Sequence, residues 1–121
     1  MKISQFKLTI EEKEVMLDVV QLKEQVYLYI GDSDRRFDDL QLILQTKIQE
    51  KPLQREIHSN STIEEEIKSI AESVGLFLAR KKEIAVFYSF NLKIKETGEL
   101  LRIMKQVKTV VLEEFSEQKE Q

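Results

Sequence analysis

The sequence predicts an α+β layer: a mostly antiparallel sheet with two helices packed on one of its faces. Three observations predict it. Apolar residues alternate with polar ones through much of the first sixty positions. The spacing then becomes helical from Ile63 to Leu78. A short, continuously apolar run at residues 84–92 separates that helix from a second one. The order is three to five strands, a helix, a central strand and a helix.

Phe6, Leu8 and Ile10 alternate with Lys7 and Thr9, as in a half-buried strand. Glu11 to Glu14 reads as a polar turn. Val15 to Leu22 follows as a second strand, with Val15, Leu17 and Val19 on one face and Met16 and Val20 on the other. After the polar stretch Gln21–Gln25, Val26, Leu28 and Ile30 form one face of a third strand, and Tyr27 and Tyr29 the other. Gly31-Asp32-Ser33-Asp34 is a turn signal. Leu40, Leu42 and Leu44 alternate within Phe37–Thr46, which is read as a strand. Residues 53–58 (LQREIH) read as a short edge strand, since Pro52 before them cannot donate to a ladder.

Ser61 with Glu64, or Thr62 with Glu65, can form a capping box at a helix start. Ile67, Ile70, Val74 and Leu78 continue the apolar stripe, and the helix is expected to reach about Lys82. Gly75 within it costs about 1 kcal/mol against Ala unless close packing requires it. Arg80, Lys81 and Lys82 sit in the last turn, where positive charge suits the helix dipole. The run IAVFYSFNL is expected to be a central strand buried on both faces. Glu96-Thr97-Gly98-Glu99 turns into the last helix, striped by Leu100, Ile103, Met104, Val107, Val111 and Phe115. Its two heptads are too few for a coiled coil. The tail SEQKEQ, 116–121, has no apolar member and is expected to fray.

Composition narrows the function. The chain of 121 residues is one domain by length. A net charge of -3, from 19 basic and 22 acidic residues, provides no cationic surplus for a phosphate backbone, so nucleic acid is not the expected partner. Without cysteine there is no disulfide, thiol nucleophile or thiolate metal site, and the single His58 excludes a multi-histidine metal site. Three glycines and one proline leave no glycine-rich phosphate cradle. No cofactor is expected, and the chain is not read as an enzyme. His58 near Glu56 lacks a recognisable nucleophile, and Glu64, Glu65 and Glu66 suit a helix first turn better than a metal site. The N-terminus lacks the apolar segment of a signal peptide, and no run of about 18 apolar residues crosses a membrane. An intracellular location, cytoplasmic and also nuclear, is expected.

One feature points to a partner. Two helices cover one sheet face, and the other face ought then to be polar. It is instead apolar, because both alternating sets of the central strand are: Ile84, Val86, Tyr88, Phe90 and Leu92, and Ala85 and Phe87 with Ser89. A chain of this length has no further layer for it. A dimer packed sheet on sheet, or a stable partner protein, is the expected solution.

The segment Leu78–Leu92 (LARKKEIAVFYSFNL) resembles the proteasome assembly chaperone 4 family. Leu78, Ala79, Arg80 and Lys81 end a helix that leads directly into Val86, Phe87, Ser89, Phe90, Asn91 and Leu92. VYLYIG (26–31) and VVLEEF (110–115) are similar to further stretches of that family. The resemblance covers nearly the whole order of elements, is weak before residue 25, and leaves 45–60 unmatched. It implies two helices on a six-stranded antiparallel sheet and a role without chemistry. It also implies pairing with a related chaperone-3-like subunit as a heterodimer, a homodimer being open when that subunit is absent. The pair would bind α-subunits of the 20S proteasome and promote α-ring formation.

Four residues are candidates for the partner interface: Tyr27, Tyr29, Phe87 and Arg80, large aromatics and arginine being favoured there. The charged loop with Asp32, Asp34, Arg35 and Arg36 is the candidate α-subunit contact. Asn91 is expected to hold the turn after its strand. An alternative from another class is a longin- or roadblock-type dimeric scaffold for GTPases or trafficking complexes. Those folds begin with a helix, whereas this chain begins with strands.

Overall fold

The structure is a computed structural model that describes residues 1–44, 53–59, 65–94 and 96–119. Eight elements follow in order: β1 (Lys2–Ile10), β2 (Lys13–Gln21), β3 (Gln25–Gly31), β4 (Asp39–Leu44), β5 (Leu53–Ser59), α1 (Glu65–Lys82), β6 (Ala85–Asn91) and α2 (Thr97–Lys119). The strands form one sheet in the order β1-β2-β3-β6-β4-β5. This is the expected α+β class, with six strands and two helices.

All neighbouring strands run antiparallel except β3 and β6, which are parallel. The sheet is thus mostly antiparallel, as expected, with one parallel pair. The physical reason lies in the connection. β4, β5 and α1 intervene between β3 and β6, and a crossover containing a helix can return the chain in the same direction.

The core lies between sheet and helices. Val15, Leu17, Val19, Leu28, Ile30, Ile43 and Val86 are fully buried from the sheet side, and Leu78, Leu100, Ile103 and Val107 from the helix side. Each set follows the period of its element, 2 in the strands and 3.6 in the helices. α1 lies over β6 and β4, where the fully buried Tyr88 hydroxyl donates to the Ala71 carbonyl. α2 is tied to the β1–β2 end through Glu114, which accepts from Ser4 and lies 3.1 Å from Lys2. Lys13, 2.8 Å from Glu99, and Arg102 on Glu11 add further ties.

Several boundaries differ from the sequence reading. The first turn contains only Glu11 and Glu12, both at positive φ (50° and 68°), so β1 and β2 are longer than expected. Two-residue hairpin loops with both φ positive match strand twist, although Asn-Gly is the usual occupant. α1 ends with Glu83 at φ 53°, whose N–H donates to the Ala79 carbonyl at 2.9 Å, a left-handed helix cap formed without glycine. β5 is the expected edge strand. α2 is helical through Lys119, into the stretch expected to fray. Both capping-box alternatives, Ser61–Glu64 and Thr62–Glu65, and the reading of Gln45–Thr46 as strand lie outside the described residues.

Gly75 does answer to close packing. A Cβ there would lie 2.9 Å from Ile43 Cδ1 and 3.0 Å from the Tyr88 ring. The missing side chain lets α1 sit down on β6 and β4.

Candidate interaction face

The face turned away from the helices is built by register. Ile3 pairs with Val20, Val20 with Tyr27, Tyr27 with Phe87, Phe87 with Leu42, and Leu42 with Arg55. Laterally paired residues point to the same side of a sheet. These six therefore form one row across all six strands, apolar as far as Leu42. Leu44 and Leu53, paired with each other beside it, extend the patch at the β5 end. Ile3 is 58% exposed and Leu53 48%, while Val20, Tyr27, Phe87 and Leu42 are half-buried. Phe87 corrects the expectation that the central strand is buried on both faces: its helix-facing Val86 and Tyr88 are fully buried, but Phe87 keeps solvent contact.

The adjoining row is covered by the chain itself. Asp18 pairs with Tyr29 and Tyr29 with Ser89. The loop 32–38 folds over them. Arg35 forks onto Asp18 through bonds of 2.6 and 3.3 Å, and its guanidinium lies 5.9 Å from the Tyr29 ring centroid. The Tyr29 hydroxyl donates to the Arg36 carbonyl at 2.6 Å. Burial raises the hydroxyl pKa of both Tyr27 and Tyr29 above the ordinary value.

Asn91 anchors this loop. Its side-chain oxygen accepts from the Asp38 and Asp39 N–H groups at 2.6 and 3.2 Å, and its amide donates to Ser89 Oγ at 2.8 Å. It was expected to hold the turn after its own strand; it holds a loop more than fifty residues earlier instead. Arg36 completes the clasp, donating to the Asn91 carbonyl at 2.9 Å and lying 2.9 Å from Asp38 and 3.5 Å from Asp32.

The structure thus brings together Tyr27 and Phe87 as cross-strand neighbours in an open row. Tyr29 lies next to them beneath the loop, 6% exposed. Arg80 is exposed near the end of α1, in the helix layer on the opposite side of the sheet. In the loop, Asp34 and Arg35 are exposed, and Asp32 and Arg36 are half-buried in the clasp. Ile3, Leu42, Leu44 and Leu53 join the face without having been singled out as candidates. The leucines' alternation was visible, but their place beside Phe87 depends on the pairing of β4 with β6. His58 is exposed and stacks on Phe37, with ring centroids 5.4 Å apart. No helix among the described residues is long and apolar enough to cross a membrane.

Two helices thus cover one face of the sheet, and the other face presents the apolar row. Comparison with solved structures gives the likeness. The chain superposes with a TM-score of 0.63 on a chain of the "Crystal Structure of a Novel Chaperone Complex for Yeast 20S Proteasome Assembly". The match covers 96% of this chain and 97% of that one, at 10% sequence identity. The fold is therefore shared from end to end. No protein-family model matches the chain, and no curated protein does.

Proposed function

We propose that the chain is a proteasome assembly chaperone that works by binding and catalyses no reaction. Two independent lines support the reading: the resemblance of residues 78–92 to the chaperone 4 family, and a fold shared over nearly the full length with a chain of a yeast assembly-chaperone complex. The observation that carries it is the apolar row from Ile3 to Leu42, which a partner's sheet would cover. In this reading the partner is a related chaperone-3-like subunit, and a second copy of the chain takes its place when that subunit is absent. The pair holds α-subunits of the 20S proteasome during α-ring formation, with the rim loop carrying Asp34 and Arg35 as the contact. It is displaced by steric conflict as later subunits arrive, in the cytoplasm and the nucleus.

Purification from native lysate tests this. Co-elution of 20S α-subunits and a second chaperone of similar size supports the proposal. Small GTPases in their place would assign the chain to the scaffold alternative. Phe87→Asp puts a carboxylate at the centre of the row and is expected to weaken pairing at least about tenfold while the chain stays folded.

A further inference from the structure

The β5 edge has a feature that sheet pairing does not use. All seven residues of β5 are exposed, and among the described residues its ladder partner lies on one side only, so its outer edge presents backbone donors and acceptors to a further strand. Each face beside that edge has a recess of different chemistry. On the helix side lies a polar cleft of about 390 Å³. There Glu72 accepts from Gln41 at 2.7 Å and Gln54 at 2.9 Å, and Glu56 lies 3.5 Å from Lys68, the cation lining the cleft. On the other side a mainly apolar pocket of about 280 Å³ is lined by Leu42, Leu44 and Leu53, with Gln54 and Arg55 at its wall.

Beside the cleft, and not in its lining, lies the buried Asp39. Asp39 stands on the same face of β4 as Gln41 and is 7% exposed. One of its carboxylate oxygens is buried without a hydrogen-bond partner among the described residues. The groups around it are Gln41, Lys68, Glu56 and Glu72, those of the cleft itself. Burial raises its pKa, while Gln41 and Lys68 act the other way. Glu56 and Glu72 against Lys68 already leave the cleft acidic before Asp39 is counted, so a cation entering it meets net negative charge.

We propose that the β5 edge docks an extended segment of a partner protein in which basic and apolar side chains alternate. Such a segment adds a seventh strand, its basic side chains entering the acidic cleft and its apolar ones the leucine pocket. The two-residue period of a strand sends alternate side chains to opposite faces, which matches the two recesses. Backbone bonding supplies affinity in this mode and the recesses supply specificity. A planar guanidinium suits paired carboxylates best. Both edges carry cations: Lys2 and Lys7 on β1 are each paired to a glutamate, and Arg55 on β5 stands on the Leu42 side, away from the acidic cleft. The β5 edge and its acidic cleft lie outside the apolar row, whereas the leucine pocket is the β5 end of that same face, so a partner seated over the whole row would compete with the docked segment for Leu42.

The probe is an end-capped peptide of sequence Thr-Arg-Val-Arg-Val-Arg-Thr. Binding is measured by fluorescence anisotropy and located by backbone amide exchange on the full chain. Slowed exchange at residues 53–59, with affinity lost at least about tenfold in the Glu56→Gln/Glu72→Gln double variant, supports the proposal. So does loss of binding when the central arginine is replaced by proline, which cannot bond to a strand edge. It is overturned by equal affinity for the double variant, by protection confined to β1, or by no saturable binding up to about 1 mM. Circular dichroism of the double variant separates lost binding from lost fold.

Discussion

Gly75 and Glu83 show how single positions set the geometry of α1. At Gly75 helix propensity and packing oppose each other. Alanine gains about 1 kcal/mol in an isolated helix. Here its Cβ would meet the Tyr88 ring at 3.0 Å, and that ring is held by its bond to Ala71. Overpacking of this kind costs about 1–3 kcal/mol. Gly75→Ala is therefore expected to destabilise the chain by about 1 kcal/mol net in urea unfolding, and a gain in stability would show that α1 can lift off the sheet. Glu83 is the opposite case, a left-handed position occupied by a residue with a Cβ. Glu83→Gly is expected to add about 0.5–1 kcal/mol, read as a rise of a few degrees in Tm.

At the scale of elements, the tie between β1 and α2 makes stability depend on pH. The Ser4 hydroxyl donating to Glu114, helped by Lys2, holds that carboxyl below its ordinary value of 4.5. The folded chain then binds this proton more weakly than the unfolded chain. The stabilisation is full above the unfolded value and is lost as pH falls through the lower folded value. Glu114→Gln removes this dependence. The stability difference between wild type and variant is expected to be largest at neutral pH and to shrink as pH falls below the ordinary value of 4.5 in urea titrations. A difference that stays constant with pH would show that the tie acts through shape alone. The loop 32–38 is a second such tie. Turn chemistry marked it from Gly31 onward, but its clasp on Asn91, Asp18 and Tyr29 joins groups that only the assembled sheet brings together.

Across the whole molecule, the prediction concerns association. The apolar row crosses five of the six strands and ends at Arg55 on β5, and loop 32–38 covers the row beside it. In light scattering with size exclusion, the wild-type chain without its partner is expected to associate, and Phe87→Asp to run as a folded monomer. A wild-type monomer that exposes no apolar surface to a hydrophobic dye would overturn the pairing argument.

Period, turn residues and composition are local, and they determined much of this protein directly. The alternation of Val15, Leu17 and Val19, the helical spacing of Ile67, Ile70, Val74 and Leu78, and the apolar run around Phe87 located most of the elements and marked the second face as apolar. The site was less visible. Tyr27 and Phe87 were recognisable as aromatics on alternating strands, but their adjacency was not, and Tyr29 looked as available as Tyr27. Tertiary structure alone decided that β3 and β6 lie side by side in parallel, that loop 32–38 shields Tyr29, that Arg80 belongs to the opposite layer, and that β5 stands at an open edge between two recesses. The reason is physical. A residue's periodicity depends on its near neighbours, whereas strand order and register are settled by the packing of distant segments into one core.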